Sequence, residues 1–175
     1  MTDHPEGLRT ESIQRKHKVK HFDCGEQSLN DYIRRYAFRN DQNNISKTFV
    51  LTDNNNHVVG YYSVCAASVE FSELPEDLSG RLPRYPIPAA LIARLAVDAA
   101  AQGNDFGARL LIDALRRIAQ TSEELGIKIV IVDVLNEKAR TFYERYGFQS
   151  FPGEALKLFL SIETIIEAVG VKHEG

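Results

Sequence analysis

An apolar run with strand character, Arg94-Leu-Ala-Val-Asp98, leads into Gln102-Gly-Asn-Asp-Phe-Gly-Ala-Arg-Leu-Leu111, a turn with two glycines that opens at once into a helix with an Ala/Leu/Ile face. A helix start carries unpaired N–H groups and the positive end of the macrodipole, so a turn of this kind can hold a phosphorylated ligand. Downstream, Tyr143 offers a phenol whose unperturbed pKa of about 10 keeps its proton on at neutral pH. It reads either as a proton donor or as a core aromatic beside Phe142 and Tyr146 on a short helix. Asn104 and Asp105 complicate the turn. A carboxylate repels a phosphate, and a side chain there opposes close backbone approach. Asp105 can also cap the helix, competing for the same N–H groups. Asp and Asn tolerate left-handed backbone, so weaker affinity is expected rather than a different fold. Residues 103–108 do not match Gly-x-Gly-x-x-Gly, and no Gly-Lys-Ser/Thr phosphate loop is present, which removes NAD chemistry and nucleotide hydrolysis.

The elements that must position these residues follow from periodicity. Ser28 to Asn40 spaces Leu29, Tyr32, Ile33, Tyr36 and Ala37 at helical intervals, with Ser28 as its N-cap. Thr48 to Thr52 reads as a strand, Asp53 to Asn56 as its turn and Val58 to Val69 as a longer strand, together a hairpin. Glu70 to Pro88 holds four prolines and a glycine and reads as an extended loop. Ala90 to Val97 is the next strand, followed by the glycine turn and a helix to about Leu125 that Gly126 ends. Lys128 to Val134 is a buried strand, and Asn136 to Tyr146 a short helix stopped by Gly147. Phe148 to Phe151 and Leu156 to Ser161 close as strands, and Ile162 to Val169 as a helix. The pattern predicts a mixed α/β fold, one sheet flanked by helices with hairpins at both ends.

Composition sets the limits. At 175 residues, 43% hydrophobic and 26% charged, the chain suits one soluble domain spanning 1–175. No apolar run approaches the roughly 20 residues of a membrane span, and the start has no apolar signal region. Cys24 and Cys65 read as reduced thiols of a cytoplasmic protein, Cys65 as a small buried hydrophobe. No metal is expected. The net charge of −3 conceals a basic first half: Arg15, Lys16, Lys18 and Lys20, with His17 and His21, then Arg34, Arg35, Arg39 and Lys47. Such asymmetry reads either as a face for a polyanion or as an ordinary solvated surface.

Four segments in order carry a resemblance: Phe22-Asp-Cys-Gly25 with Leu29-Asn30; Gly60-Tyr-Tyr-Ser-Val-Cys-Ala-Ala-Ser68; Pro86-Ile-Pro-Ala-Ala with Arg94-Leu-Ala-Val-Asp98; and Phe142-Tyr-Glu-Arg-Tyr-Gly-Phe148. The chain resembles GNAT-superfamily acetyltransferases, and more narrowly the GNAT toxins of bacterial toxin–antitoxin pairs. The resemblance implies a mostly antiparallel mixed sheet in which two parallel central strands splay apart to bind acetyl-CoA. Leu95, Ala96 and Val97 would pair with the pantetheine arm through their backbone. Gln102, Gly103, Asn104, Asp105, Phe106, Gly107 and Ala108 would wrap the pyrophosphate, and Asn136 would contact the cofactor. Tyr143 would protonate the departing thiolate. Family loops usually have a glycine where Asp105 stands.

The toxin resemblance further implies that the acceptor is the α-amine of an aminoacyl-tRNA. His57 and Glu70 are weak candidates for a general base, and no motif supports either. An α-amine titrating near about 8, lower beside an ester, needs a base far less than a lysine at about 10.4. Arg15, Lys16, Lys18, Arg34, Arg35, Arg39, Lys47 and Arg94 are the expected substrate contacts, on phosphates in particular. A ribbon-helix-helix antitoxin, a repressor complex with it, and a homodimer come with the same resemblance. Two other readings stand beside it: a GNAT enzyme for a protein N-terminus or small amine, and a non-catalytic binding module that lost its cofactor through Asp105.

Overall fold

The computed structural model describes residues 7–170. Its seven strands lie in one sheet in the order β1-β2-β3-β4-β5-β7-β6, mostly antiparallel with one parallel pair. The chain divides into two compact units, residues 1–65 with 93–114, and residues 66–92 with 115–175.

In the first unit, β1 (Arg9–Ser12), β2 (Lys47–Thr52) and the start of β3 (Val58–Val69) pair antiparallel, from Arg9↔Thr52 and Lys47↔Val64. The β2–β3 hairpin matches its sequence pattern, with Asn56 at φ +65 in the turn. Periodicity missed β1, an edge strand of polar residues whose register depends on distant partners. Arg9 donates to the Asp53 carbonyl at 3.1 Å and to Asn56 Oδ1 at 2.7 Å. The expected helix over 28–40 is broken into α1 (Gln27–Asp31), a π-helical turn (Tyr32–Tyr36) and α2 (Ala37–Gln42). Ser28 is not its N-cap: Glu26 holds that position and makes no side-chain cap bond. The wide turn lets Tyr32 and Tyr36 stack at 6.4 Å while Tyr32 Oη meets Ser46 Oγ at 2.6 Å. Ile13, Phe22, Ile33, Val50, Val58 and Tyr61 form the core here, each such side chain worth about 1.5–3 kcal/mol of burial. The unit also holds the last residues of β4 (Ile87–Val97) and the head of α4 (Phe106–Thr121). Gly60 lets that helix approach: a Cβ there would sit 2.8 Å from Leu110 Cδ1 and 3.0 Å from the Ala96 carbonyl.

In the second unit, β4 runs parallel to β5 (Ile129–Asp133) from Ala89↔Ile129 to Ile92↔Val132. Antiparallel β7 (Glu154–Ser161) and β6 (Gln149–Phe151) complete it as the expected hairpin. The stretch read as loop from Glu70 to Pro88 contains a 3-10 turn (Phe71–Glu73) and a one-turn helix, α3 (Glu76–Ser79), started by Pro75. β4 begins at Ile87, earlier than Ala90, because Ile87 and Ala89 are buried with Ile129 and Ile131. α5 (Glu137–Glu144) and α6 (Ile162–Val169) close the unit, the latter capped by Ser161 Oγ on Thr164 N–H at 3.2 Å. No helix among the described residues is long and apolar enough to cross a membrane.

Candidate active site

β4 ends at Val97, and the turn that follows is braced by its own unit. Asp98 Oδ1 accepts the Ala100 N–H at 2.9 Å, capping a 3-10 turn over Ala99–Ala101, and Oδ2 accepts the Asp23 N–H at 3.1 Å. Ala99 N–H donates to the Asp23 carbonyl at 2.8 Å. Asn30, itself buried, accepts from Cys24 N–H at 2.8 Å and donates to Asp23 Oδ1 at 3.0 Å. The Gly25 N–H and then the Asn30 amide hold the Asp23 carboxyl below its ordinary value. Gln102 Nε2 donates to the Val97 carbonyl at 3.1 Å and the Cys24 carbonyl at 3.3 Å, and Asn104 Nδ2 to the Ala101 carbonyl at 3.0 Å. The Phe22–Gly25 motif therefore acts as a clamp on the turn after β4. The sequence pattern groups Asn30 with this motif but does not join Asp98 to it, because the Asp98–Asp23 bond crosses 75 residues of chain.

The turn itself presents its backbone. Gly103 and Asp105 both have left-handed φ, +88 and +59. Asp pays little strain there, so the turn forms without a glycine at 105. The Asp105 carbonyl accepts the Arg109 N–H at 3.1 Å, the first bond of α4. Among the described residues nothing accepts from the N–H groups of Gly103 through Ala108. Six successive open donors at the head of a 16-residue helix fit a diphosphate. The exposed Asp105 carboxylate opposes it, weakened by solvent. Leu95, Ala96 and Val97 supply the strand leading in, with Ala96 buried and its neighbours half-buried.

The second unit carries the expected acid. Asn136 N-caps α5, its Oδ1 accepting the Ala139 N–H at 2.9 Å, so only its Nδ2 is free for a ligand. Tyr143 is 7% exposed. Its ring meets Phe142 edge-on at 5.1 Å and Phe148 at 5.3 Å. Burial pushes its phenol above the ordinary value, so the proton stays on, and the hydroxyl has no hydrogen-bond partner among the described residues. Tyr143 is thus a core aromatic that also keeps an unused donor.

The basic residues are dispersed. Lys16 pairs with Glu11 at 3.3 Å, and Lys47 with Asp41 at 3.7 Å. Arg34 donates to the Phe22 carbonyl, and Arg35 is exposed. Arg15 lies over the Phe38 ring at 5.3 Å and shares a surface hollow with Arg39, while Lys18 lines a different cavity with Lys20. Arg94 lies over the Tyr32 ring, 3.6 Å from its centroid. Both thiols are free, and burial raises both, which leaves them poor nucleophiles. His57 pairs with Asp53 at 3.3 Å.

A strand that hands a row of open amides to the head of a long helix has the donor arrangement to receive a diphosphate through its main chain. Residues 44–150 match the family described as an acetyltransferase (GNAT) domain. The tRNA-acetylating toxin of Mycobacterium tuberculosis is 35% identical over 152 residues, 87% of this chain and 90% of that protein. The structure of AtaT complexed with acetyl-methionyl-tRNAfMet superposes with a TM-score of 0.87 at 31% identity, covering 94% of this chain and 99% of that one. A tyrosine-to-phenylalanine mutant of the AtaT toxin, bound to the C-terminus of the antitoxin AtaR and to acetyl-CoA, gives 0.79 at 29% identity, covering 93% and 98%. The chain belongs to the GNAT acetyltransferases, and its activity is acetyl transfer from acetyl-CoA.

Proposed function

We propose that this protein acetylates the α-amine of aminoacyl-tRNA, blocks translation by doing so, and is silenced by a cognate antitoxin. The observation that carries the reading is the run of open N–H groups from Gly103 to Ala108 at the head of α4. The relatives supply the acceptor class, since one is a tRNA-acetylating toxin and another is complexed with an acetylated tRNA. A ribbon-helix-helix antitoxin, a repressor complex with it, and a homodimer belong to the same reading, as does a cytoplasmic location. The matched span draws on both compact units, and we read them as one domain.

Acetyl-CoA supplies the thioester whose carbonyl carbon takes the amine nitrogen as the C–S bond breaks. The amides from Gly103 to Ala108 would hold its diphosphate, with Gln102 keeping the turn in shape, and Leu95 to Val97 would pair with its pantetheine arm. The Asn136 Nδ2 is available as a further contact. Tyr143 donates its proton to the sulfur, and the proton shed by the acylated nitrogen restores the phenol. Positioning carries most of the rate, because a neutral α-amine needs no strong base.

A labelled acetyl-transfer assay with total aminoacyl-tRNA, free amino acids and protein tests this directly. Label is expected in the aminoacyl-tRNA fraction, released by mild base together with the amino acid. Label confined to protein or to free amino acids overturns the acceptor assignment.

A further inference from the structure

A cavity of about 530 Å³ opens in the first unit between residues 18–22, 57–59 and 98–101. Main-chain bonds fix all three walls. Lys18 N–H donates to the Asn56 carbonyl at 2.8 Å and Val58 N–H to the Lys18 carbonyl at 3.1 Å, a parallel bridge between Lys18 and His57. Asp98 N–H donates to the Val59 carbonyl at 2.8 Å, and Ala99 N–H to the Asp23 carbonyl at the same distance. Phe22, buried edge-on against Tyr61 at 5.6 Å, further anchors the wall of residues 18–22. The cavity is preformed, so a ligand entering it orders little backbone.

Its lining sorts by chemistry. Lys18, Lys20, His21 and His57 are exposed on the rim. Lys18, Lys20 and His21 have no carboxylate partner among the described residues, whereas Lys16 and Lys47 each have one. Asp53 Oδ2 lies 3.3 Å from His57 Nδ1, which holds the ring and leaves Nε2 for an outside group. The single carboxylate in the lining, Asp98, is already committed through both oxygens to the N–H groups of Ala100 and Asp23. Phe22 and Val58, both buried, make an apolar floor. A cationic rim over an apolar floor suits a nucleotide, the phosphate on the rim and the sugar or base below.

We propose that this cavity holds one phosphorylated nucleotide of the substrate RNA, with Lys18 and Lys20 gripping the phosphate and His21 and His57 donating to it. The proposal rests on tRNA being the substrate. It also places the anchoring nucleotide beside the Ala99–Ala101 turn, which leads directly into the amide row. The phosphate is either the 5′-terminal monoester or an internal diester of the acceptor strand.

The test is equilibrium binding of a fluorescent acceptor-stem hairpin with a 3′-CCA end, followed by anisotropy and needing no acetyl transfer. The Lys18→Ala/Lys20→Ala double variant is expected to lose about tenfold in affinity, and the slope of log K against log salt to fall by about 2. His57→Gln should lose less, and acetyl-CoA binding, read by calorimetry, should stay as in the wild type. A 5′-hydroxyl hairpin that binds wild type as weakly as the variant does assigns the terminal phosphate. Equal losses on both hairpins assign an internal diester. Unchanged hairpin affinity in a folded double variant overturns the site. So does retained hairpin affinity with lost binding of a glutamate-rich peptide, which would give the cavity to a protein partner. A protein that binds the hairpin here yet acetylates no aminoacyl-tRNA defeats the proposed function and leaves this site standing.

Discussion

The turn from Gly103 to Ala108 and the helix that carries Tyr143 solve opposite problems. The turn is exposed and offers main-chain N–H groups in a shape held by its own Asn104 and by Gln102, Asp98 and Asn30 of the same unit; in the proposed function those groups hold the cofactor. Tyr143 is buried, offers one hydroxyl as the proposed acid, and is placed by packing against Phe142 and Phe148. A main-chain site tolerates an unusual residue so long as its φ is allowed, and Asp105 at φ +59 shows that tolerance. A side-chain site has no such latitude, because the atom that acts is the one a substitution removes.

That contrast predicts its largest effect at Tyr143. Tyr143→Phe keeps the ring and its packing and removes only the oxygen. The turnover number should fall about 10²–10⁴-fold while acetyl-CoA affinity and melting temperature hold. An equal loss of cofactor affinity would mean the hydroxyl serves binding instead. Next comes Gly60→Ala, which drives a Cβ against Leu110 and the Ala96 carbonyl beneath the helix head. Denaturant titration should show a loss of about 1–3 kcal/mol, with acetyl-CoA affinity falling alongside. Stability lost without any change in affinity would show that the amide row does not depend on how α4 is seated.

Asp105→Asn is smaller and of opposite sign. It keeps a residue at ease in left-handed geometry and removes the charge, so acetyl-CoA should bind about 2–5-fold tighter, less so as salt rises. No change would show that solvent already cancels the carboxylate. The smallest effect lies away from both regions. Burial pulls the Glu11 carboxyl upward, but hydrogen bonds from His17, Arg9 and Lys16 overcome it and lower its pKa from 4.5 to about 2. A depressed carboxyl contributes stability above its unfolded pKa and loses it as pH falls through the folded one. Glu11→Gln should therefore cost stability at neutral pH and flatten the acid loss between about 4.5 and 2. Parallel acid curves for the two proteins would remove Glu11 from that role.

How much of this was legible in the sequence depends on the range of the interaction concerned. Val58–Val69 and Ile162–Val169 were readable to the residue, because a run rich in valine and tyrosine after a turn, a terminal glycine and a serine cap are all local signals. The glycine turn and Tyr143 were readable as candidates for the same reason. The polar edge strand at Arg9–Ser12 was not, since Asp53 and Asn56 complete it from more than forty residues away. Nor was the π turn at Tyr32, which answers to Ser46 and to the Arg94 guanidinium. The partners of the basic residues were not legible either: Lys16 and Lys47 pair with Glu11 and Asp41, which periodicity does not place beside them.

The left-handed backbone at Asp105 also bears on how this protein can change. Glycine and asparagine are the other residues that settle in that geometry at little cost. Each lies a single base substitution from either aspartate codon. Both discard the negative charge and keep the shape of the turn. A population under selection for a stronger or weaker hold on the cofactor therefore has a short mutational path at this position, and most other steps from aspartate meet backbone strain first.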